Sequence, residues 1–136
     1  MKIGEKLPNL RLKTHQETII HTLSLIGESK LLFLVQSKEE EVEEILLENF
    51  DTLVDANIEV YVLNYLSPKE NLELQRAKEW PFTFISDEKK ELTKALGAKK
   101  SLLNSKPDQI FLLDRDGSLQ RSWKNNAFDI RELFGA

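Results

Sequence analysis

The feature that most constrains this chain is the stretch 31–50. Leu31, Leu32, Phe33, Leu34 and Val35 form an unbroken apolar run, the pattern of a strand buried on both faces. After Gln36 and Ser37 the periodicity changes. Val42, Ile45, Leu46, Phe50, Leu53 and Val54 recur at spacings of three and four, which marks one face of an amphipathic helix. A buried strand passing through a short turn into such a helix belongs to a parallel α/β sheet, and the turn is where chemistry is expected. No evident catalytic group stands there. Glu39, Glu40, Glu41, Glu43, Glu44 and Glu48 mostly fill the first turns, where carboxylates suit the positive end of the helix dipole. Ser37 and Glu40 fit a Ser-x-x-Glu capping box, so Ser37 is the expected N-cap. Asn57 is expected to close the helix.

The rest of the chain repeats the alternation. Residues 10–13 and the region around Thr18, Ile19 and Ile20, separated by His15, Gln16 and Glu17, read as an N-terminal hairpin. Residues 58–65 are rich in β-formers, and Ser67 with Pro68 opens a helix toward Trp80. Pro81 leads into a strand at 82–85, and the helix carrying Leu92 and Leu96 stops at Gly97. After a polar loop containing Pro107, residues 110–113 and 119–123 flank Asp114, Arg115, Asp116 and Gly117, a hairpin turn. Residues 128–134 read as a last helix. Strands alternating with helices imply a mainly parallel sheet covered on both faces, with antiparallel strands added by the terminal hairpin. One domain spanning 1–136 is the economical reading.

Composition narrows the function. The chain has 136 residues, 40% hydrophobic and 31% charged, with a net charge of −4. That balance suits a soluble fold and argues against a nucleic-acid surface, which needs a basic patch. No apolar run approaches the roughly 20 residues needed to span a bilayer, and the first residues lack the apolar core of a signal peptide, so the cytoplasm is the default location. There is no cysteine. Disulfides, thiolate metal sites and thiol redox steps of the chain's own are thereby excluded.

Three segments carry a resemblance. Ile3, Gly4 and Pro8 ahead of Leu10 and Leu12 form the first. Pro81, Phe82, Ser86 and Asp87, followed by Leu92, Ala95 and Gly97, form the second. Ile110, Phe111, Leu113, Asp114 and Gly117 form the third. In this order and spacing the chain resembles the alkyl hydroperoxide reductase/thiol-specific antioxidant family, peroxiredoxin-like proteins of the thioredoxin fold. The resemblance implies an α/β fold with a central mixed five-stranded sheet, helices on both faces and an N-terminal hairpin. It also implies a strand order, by residue range, of 82–85, 58–65, 31–35, 109–113 and 118–123.

The family's functional residues do not carry over. Its peroxidatic cysteine follows the central strand, three residues after a threonine or serine that itself lies four after a proline. Here that region reads Gln36, Ser37, Lys38, Glu39, Glu40, Glu41, with no proline, threonine or cysteine. The family's arginine maps to about Asp108. A low-pKa thiolate mechanism needs the thiol and benefits from the cation, and both are missing. Pro107 resembles the proline ahead of the fourth strand in thioredoxins, one residue early. A cis peptide at Lys106–Pro107 and an ordinary trans loop proline are the two readings. The degenerate active-site region is therefore Gln36, Ser37, Lys38, Glu40, Pro107 and Asp108.

Other constellations read as structure. Ser37 as a nucleophile has no neighbouring histidine. A two-residue turn at Gln16 and Glu17 sets His15 opposite Thr18 and His21 opposite Leu12, so the two do not converge on a metal and read as surface histidines. Asp114, Asp116 and Gly117 lack the further ligands of a calcium loop. Trp80, Trp123, Phe128 and Phe134 read as core or half-buried packing. No metal site and no cofactor pattern emerges. Three function classes follow: a non-catalytic peroxiredoxin-like scaffold that binds a protein partner or itself; an oxidoreductase component acting through a partner's thiols; and a cysteine-free enzyme with a small-molecule site at the strand ends near Gln36, Asn64 and Asp108.

Overall fold

The computed structural model describes residues 1–36, 40–98 and 107–134. Its elements in chain order are β1 (Arg11–Thr14), β2 (Ile19–His21), β3 (Lys30–Val35), α1 (Glu41–Glu48), α2 (Phe50–Asp55), β4 (Ile58–Asn64), α3 (Pro68–Lys78), β5 (Thr83–Ser86), α4 (Glu91–Leu96), β6 (Ile110–Leu113) and β7 (Leu119–Trp123), with 3-10 turns at Thr22–Leu25, Asn125–Ala127 and Ile130–Phe134. The strands form one sheet in the order β2-β1-β5-β4-β3-β6-β7. The strands β3, β4 and β5 are parallel, while β1 and β6 run antiparallel to their neighbours. The five expected strands thus stand in the expected order, and the hairpin extends the same sheet to seven.

The alternation within β3 explains its continuous apolar sequence. Leu32 and Leu34 face a core made with Val42, Leu46 and Leu53 of the α1–α2 segment and with Val62, Trp80 and Phe84. Leu31, Phe33 and Val35 face the opposite core with Leu63, Ile85, Leu92, Leu96 and Phe111. Each such side chain contributes roughly 1.5–3 kcal/mol of burial, so the strand is anchored from both sides and cannot slip by one residue without exchanging the two sets.

Four expectations change. First, the helix after β3 begins at Glu41, and its N-cap is Glu40, with φ +55 and no side-chain cap bond. A capping box starting at Ser37 does not match that start; Ser37 and Lys38 themselves lie outside the described residues. The Glu40 carboxylate instead meets Lys78 Nζ at 2.8 Å. The Ser-x-x-Glu box is realised elsewhere, at Ser67 and Glu70 ahead of α3. Second, the single long helix is two. The break is at Asn49, whose backbone leaves the helical region at φ −108 and ψ 17, while its Nδ2 donates to the Ile45 carbonyl. Asn57, at φ +60, closes the segment as expected.

Third, the last helix is a pair of 3-10 turns. With three residues per turn, Ile130 and Leu133 stack on one side against the sheet, and Phe134, the next position round, stays 39% exposed.

Fourth, His15 is buried rather than at the surface. Thr14 N–H donates to the Thr18 carbonyl, making His15, Gln16 and Glu17 a three-residue loop, and the register places His21 opposite Arg11. Glu17 takes the left-handed conformation that such a loop needs. The His15 backbone N–H then donates to Phe84 O, its Nδ1 accepts the Phe84 N–H at 3.2 Å, and its ring packs edge-on against Phe84. The ring nitrogen thus continues the β1–β5 ladder. His15→Phe keeps the ring but orphans a buried N–H, so it should cost about 1–3 kcal/mol in urea unfolding. Unchanged stability would return His15 to a surface role.

Candidate functional site at the strand ends

The carboxyl ends of β3, β4 and β5 lie at one end of the sheet because the three strands are parallel, and antiparallel β6 begins there. Gln36 follows β3, and its N–H donates to Leu63 O at 2.9 Å. Val35 N–H donates to Gln109 O, which brings Pro107 and Asp108, just ahead of β6, to the flank of the same strand end. Pro107 and Asp108 are half-buried, and Asp108 accepts a hydrogen bond from Ser122 Oγ. The peptide bond at Lys106–Pro107 lies outside the described residues. Gln36, Pro107 and Asp108 thus lie beside the carboxyl end of β3, Glu40 is placed by its contact with Lys78, and Ser37 and Lys38 lie outside the described residues.

Two features around these residues were not read from the sequence. One is a cation. Lys78, at the close of α3, pairs with Glu40 and sits 5.5 Å from the Trp80 ring centroid. Both partners are substantially solvent-exposed, so the pair adds little stability, but it ties the start of α1 to the end of α3. The other is a run of hydrogen-bonded amides. Asn64 Nδ2 donates to Gln36 Oε1 at 2.9 Å and to Asn71 Oδ1 at 2.6 Å, and Asn71 Nδ2 donates to Ser86 Oγ at 2.7 Å. Asn64 Oδ1 accepts Leu66 N–H. Asn71 is fully buried in α3. The one sequence signal for it was its place on the same helical stripe as Leu74 and Gln75, where a poor helix former needs a reason.

Electrostatically the start of α1 is acidic. Glu41, Glu43 and Glu44 occupy its first turn, and Glu43 is fully buried. At the start of α3, close by in the chain, the Ser67 backbone N–H and hydroxyl hold the exposed Glu70 carboxyl below its usual range. Chemically, no hydroxyl among the described residues is hydrogen-bonded to a histidine ring, and His15 Nδ1 is taken by a backbone N–H. No group of three His, Asp or Glu side chains among the described residues could hold a metal. Asp116, in the hairpin turn, accepts from the Ser118 N–H and hydroxyl, which lowers its pKa. Among the described residues no helix is long and apolar enough to cross a membrane.

Comparison with known proteins agrees with this geometry. The AhpC/TSA family profile matches residues 3–122. Among solved structures, the chain is similar to the peroxidoxin BcpB of Mycobacterium tuberculosis, with a TM-score of 0.77 at 12% identity, covering 93% of this chain and 87% of that one. It is similar to the mitochondrial 2-Cys peroxiredoxin of Plasmodium falciparum, with a TM-score of 0.74 at 18% identity over 97% and 89% of the two chains. A cysteine-to-serine mutant of PrxQ from Xylella fastidiosa aligns with a TM-score of 0.70 at 19% identity over 98% and 90%. At these identities the structures speak for the fold alone. No curated protein matches the sequence. On the family match, with which the strand order agrees, the chain belongs to the AhpC/TSA family, and it is a member without cysteine.

Proposed function

We propose that this chain does not turn over peroxide and instead binds a protein partner, or a second copy of itself, through the strand-end face of its sheet. The observation that carries the proposal is the chemistry of the β3–α1 junction. A peroxidatic centre requires a thiolate, and a thiolate is favoured by cations and helix N-termini and opposed by nearby carboxylates. Here the chain has no thiol, the first turn of α1 carries three glutamates, one of them buried, and by the family resemblance the arginine maps to about Asp108. The polar groups behind the junction satisfy one another, as a rigid recognition surface does. The meeting of Gln36 and Asn64 also favours a second reading, a small-molecule site at the same strand ends.

The purified, metal-free protein is expected to consume hydrogen peroxide and alkyl hydroperoxides no faster than buffer, with any thiol donor. Thiol-dependent multiple turnover would overturn the proposal. Light scattering then separates a self-associating scaffold from a monomer that needs a different partner.

A further inference from the structure

We propose that the hollow at the amino end of β4 is a docking site for one peptide unit of an extended partner chain, held by the unpaired backbone of Ile58 and Val60. In a parallel ladder the N–H and C=O of one residue point to the same side, and the side alternates along the strand. Asn57 O accepts Lys30 N–H and Leu63 O accepts Gln36 N–H, so the odd-numbered residues of β4 face β3. Asn64 O accepts Asp87 N–H, so the even-numbered ones face β5. The β4–β5 register begins only at Tyr61 and Thr83. Continued backward, it would bring Pro81 opposite Glu59, and Pro81 has no N–H to give the Ile58 carbonyl. The N–H and C=O of Ile58 and the N–H of Val60 therefore have no hydrogen-bond partner among the described residues. Yet Ile58 and Val60 are only 5% and 7% exposed. Buried backbone groups are nearly always paired, and these border a cavity of about 270 Å3 with apolar walls from Phe50, Val54 and Pro81.

Donors and acceptors select the occupant. A carboxylate or phosphate would answer the two N–H groups but leave the Ile58 carbonyl unmet. It would also lie beside Glu59, which lines the cavity and accepts the Tyr61 O–H at 2.6 Å. An ammonium would answer the carbonyl but face two N–H donors. A peptide unit carries both an N–H and a C=O, and an extended chain presents them as the missing neighbour of a strand edge does. Water also carries both, but a residue with an apolar side chain adds contact with Phe50 and Val54. Ile58 opens β4 and Asn64 closes it. The hollow thus lies at the other end of the strand from Gln36 and Asn64, and the inference stands independently of the strand-end reading.

The test is a titration of 15N-labelled protein with N-acetylvaline N-methylamide, read at the backbone 1H–15N resonances of Ile58 and Val60. Both should shift saturably. Acetamide has the amide without the apolar side chain and should bind at least about tenfold more weakly. N-acetylproline N,N-dimethylamide has carbonyls and no N–H, and it should saturate neither resonance. Val54 is 56% exposed, so Val54→Trp narrows the hollow without entering the core and should abolish the response. Val54→Asp removes the apolar wall instead and should weaken the probe, should the tryptophan variant fold poorly. No saturable shift in the wild type would mean that the hollow holds water only and would overturn the assignment. Equal binding of acetamide or of the proline amide, or undiminished binding by a folded Val54 variant, would overturn it as well.

Discussion

Asp87→Ala is expected to lower the unfolding free energy by about 3–5 kcal/mol. Asp87 is 1% exposed. Its Oδ1 accepts Leu92 N–H at 3.2 Å, and its Oδ2 accepts Thr93 N–H at 2.8 Å and Thr93 Oγ1 at 2.6 Å. Leu92 and Thr93 are the second and third residues of α4. Their amides are the ones a helix start leaves without partners, and the N-cap residue, Lys90, supplies no side-chain bond. The cap thus comes from three residues upstream of the N-cap position. Hydrogen bonds to a charged group contribute about 1.5–3 kcal/mol each, and the three share one carboxylate, so their sum is not additive. A helix as short as α4 has no stability of its own. Loss of its cap also loosens Leu92 and Leu96, both buried in the core that faces Leu31 and Phe33. Urea unfolding should show a lower midpoint with the slope retained. Asp87→Asn, which keeps one acceptor oxygen, should lie between alanine and wild type. A loss below about 1 kcal/mol for alanine would mean that the α4 amides find water when the carboxylate is gone.

Asn71→Leu should cost about 2–4 kcal/mol. Leu keeps the branched shape and is larger, so no cavity is made; the loss combines hydrogen bonding with some overpacking. It strands one hydrogen of Asn64 Nδ2 and removes the donor to Ser86 Oγ, at a buried junction where each unmet group costs roughly 1–3 kcal/mol. The expectation is tested by comparing Asn71→Leu, Asn64→Leu and the double variant. The two single losses should exceed the double loss when summed, because each variant already breaks the shared bond. Additive losses, or a neutral Asn71→Leu, would show that Asn64 and Asn71 do not act as one network. The wider consequence concerns the site. Asn71 is the only α3 side chain hydrogen-bonded to Asn64 among the described residues, so the variant should also shift the Asn64 and Gln36 side-chain resonances without any ligand.

Much of this was legible in the chain, and the parts that were not share a cause. Residues 31–35 announced a two-faced strand because burial on both sides demands an unbroken apolar run, and the structure returns that burial. Gly97 and Asn57 announced helix ends because a left-handed residue is needed there and few residues adopt it. The turn at Asp114 to Gly117 was legible for the same reason: Gly117 takes φ +83, and a Cβ there would run into the Ile26 side chain. The helix start was misread because Ser37 and Glu40 satisfy a local rule, whereas Glu40 is engaged with Lys78, 38 residues away. His15 was misread because one extra residue in a hairpin loop turns its side chain from solvent onto Phe84.

By itself, then, the sequence determined the order of strands and helices, the two-sided burial of β3 and the lack of a thiol in this chain, because periodicity, turn residues and cysteine content are properties of short stretches or of composition. Only the tertiary structure decided that Gln36, Asn64, Asn71 and Ser86 form one hydrogen-bonded set, that Lys78 faces Glu40, and that His15 completes a ladder. Those residues come from different elements, and a hydrogen bond requires its two atoms within about 3 Å, a condition that the packing of α3 against the sheet sets and that no local pattern records.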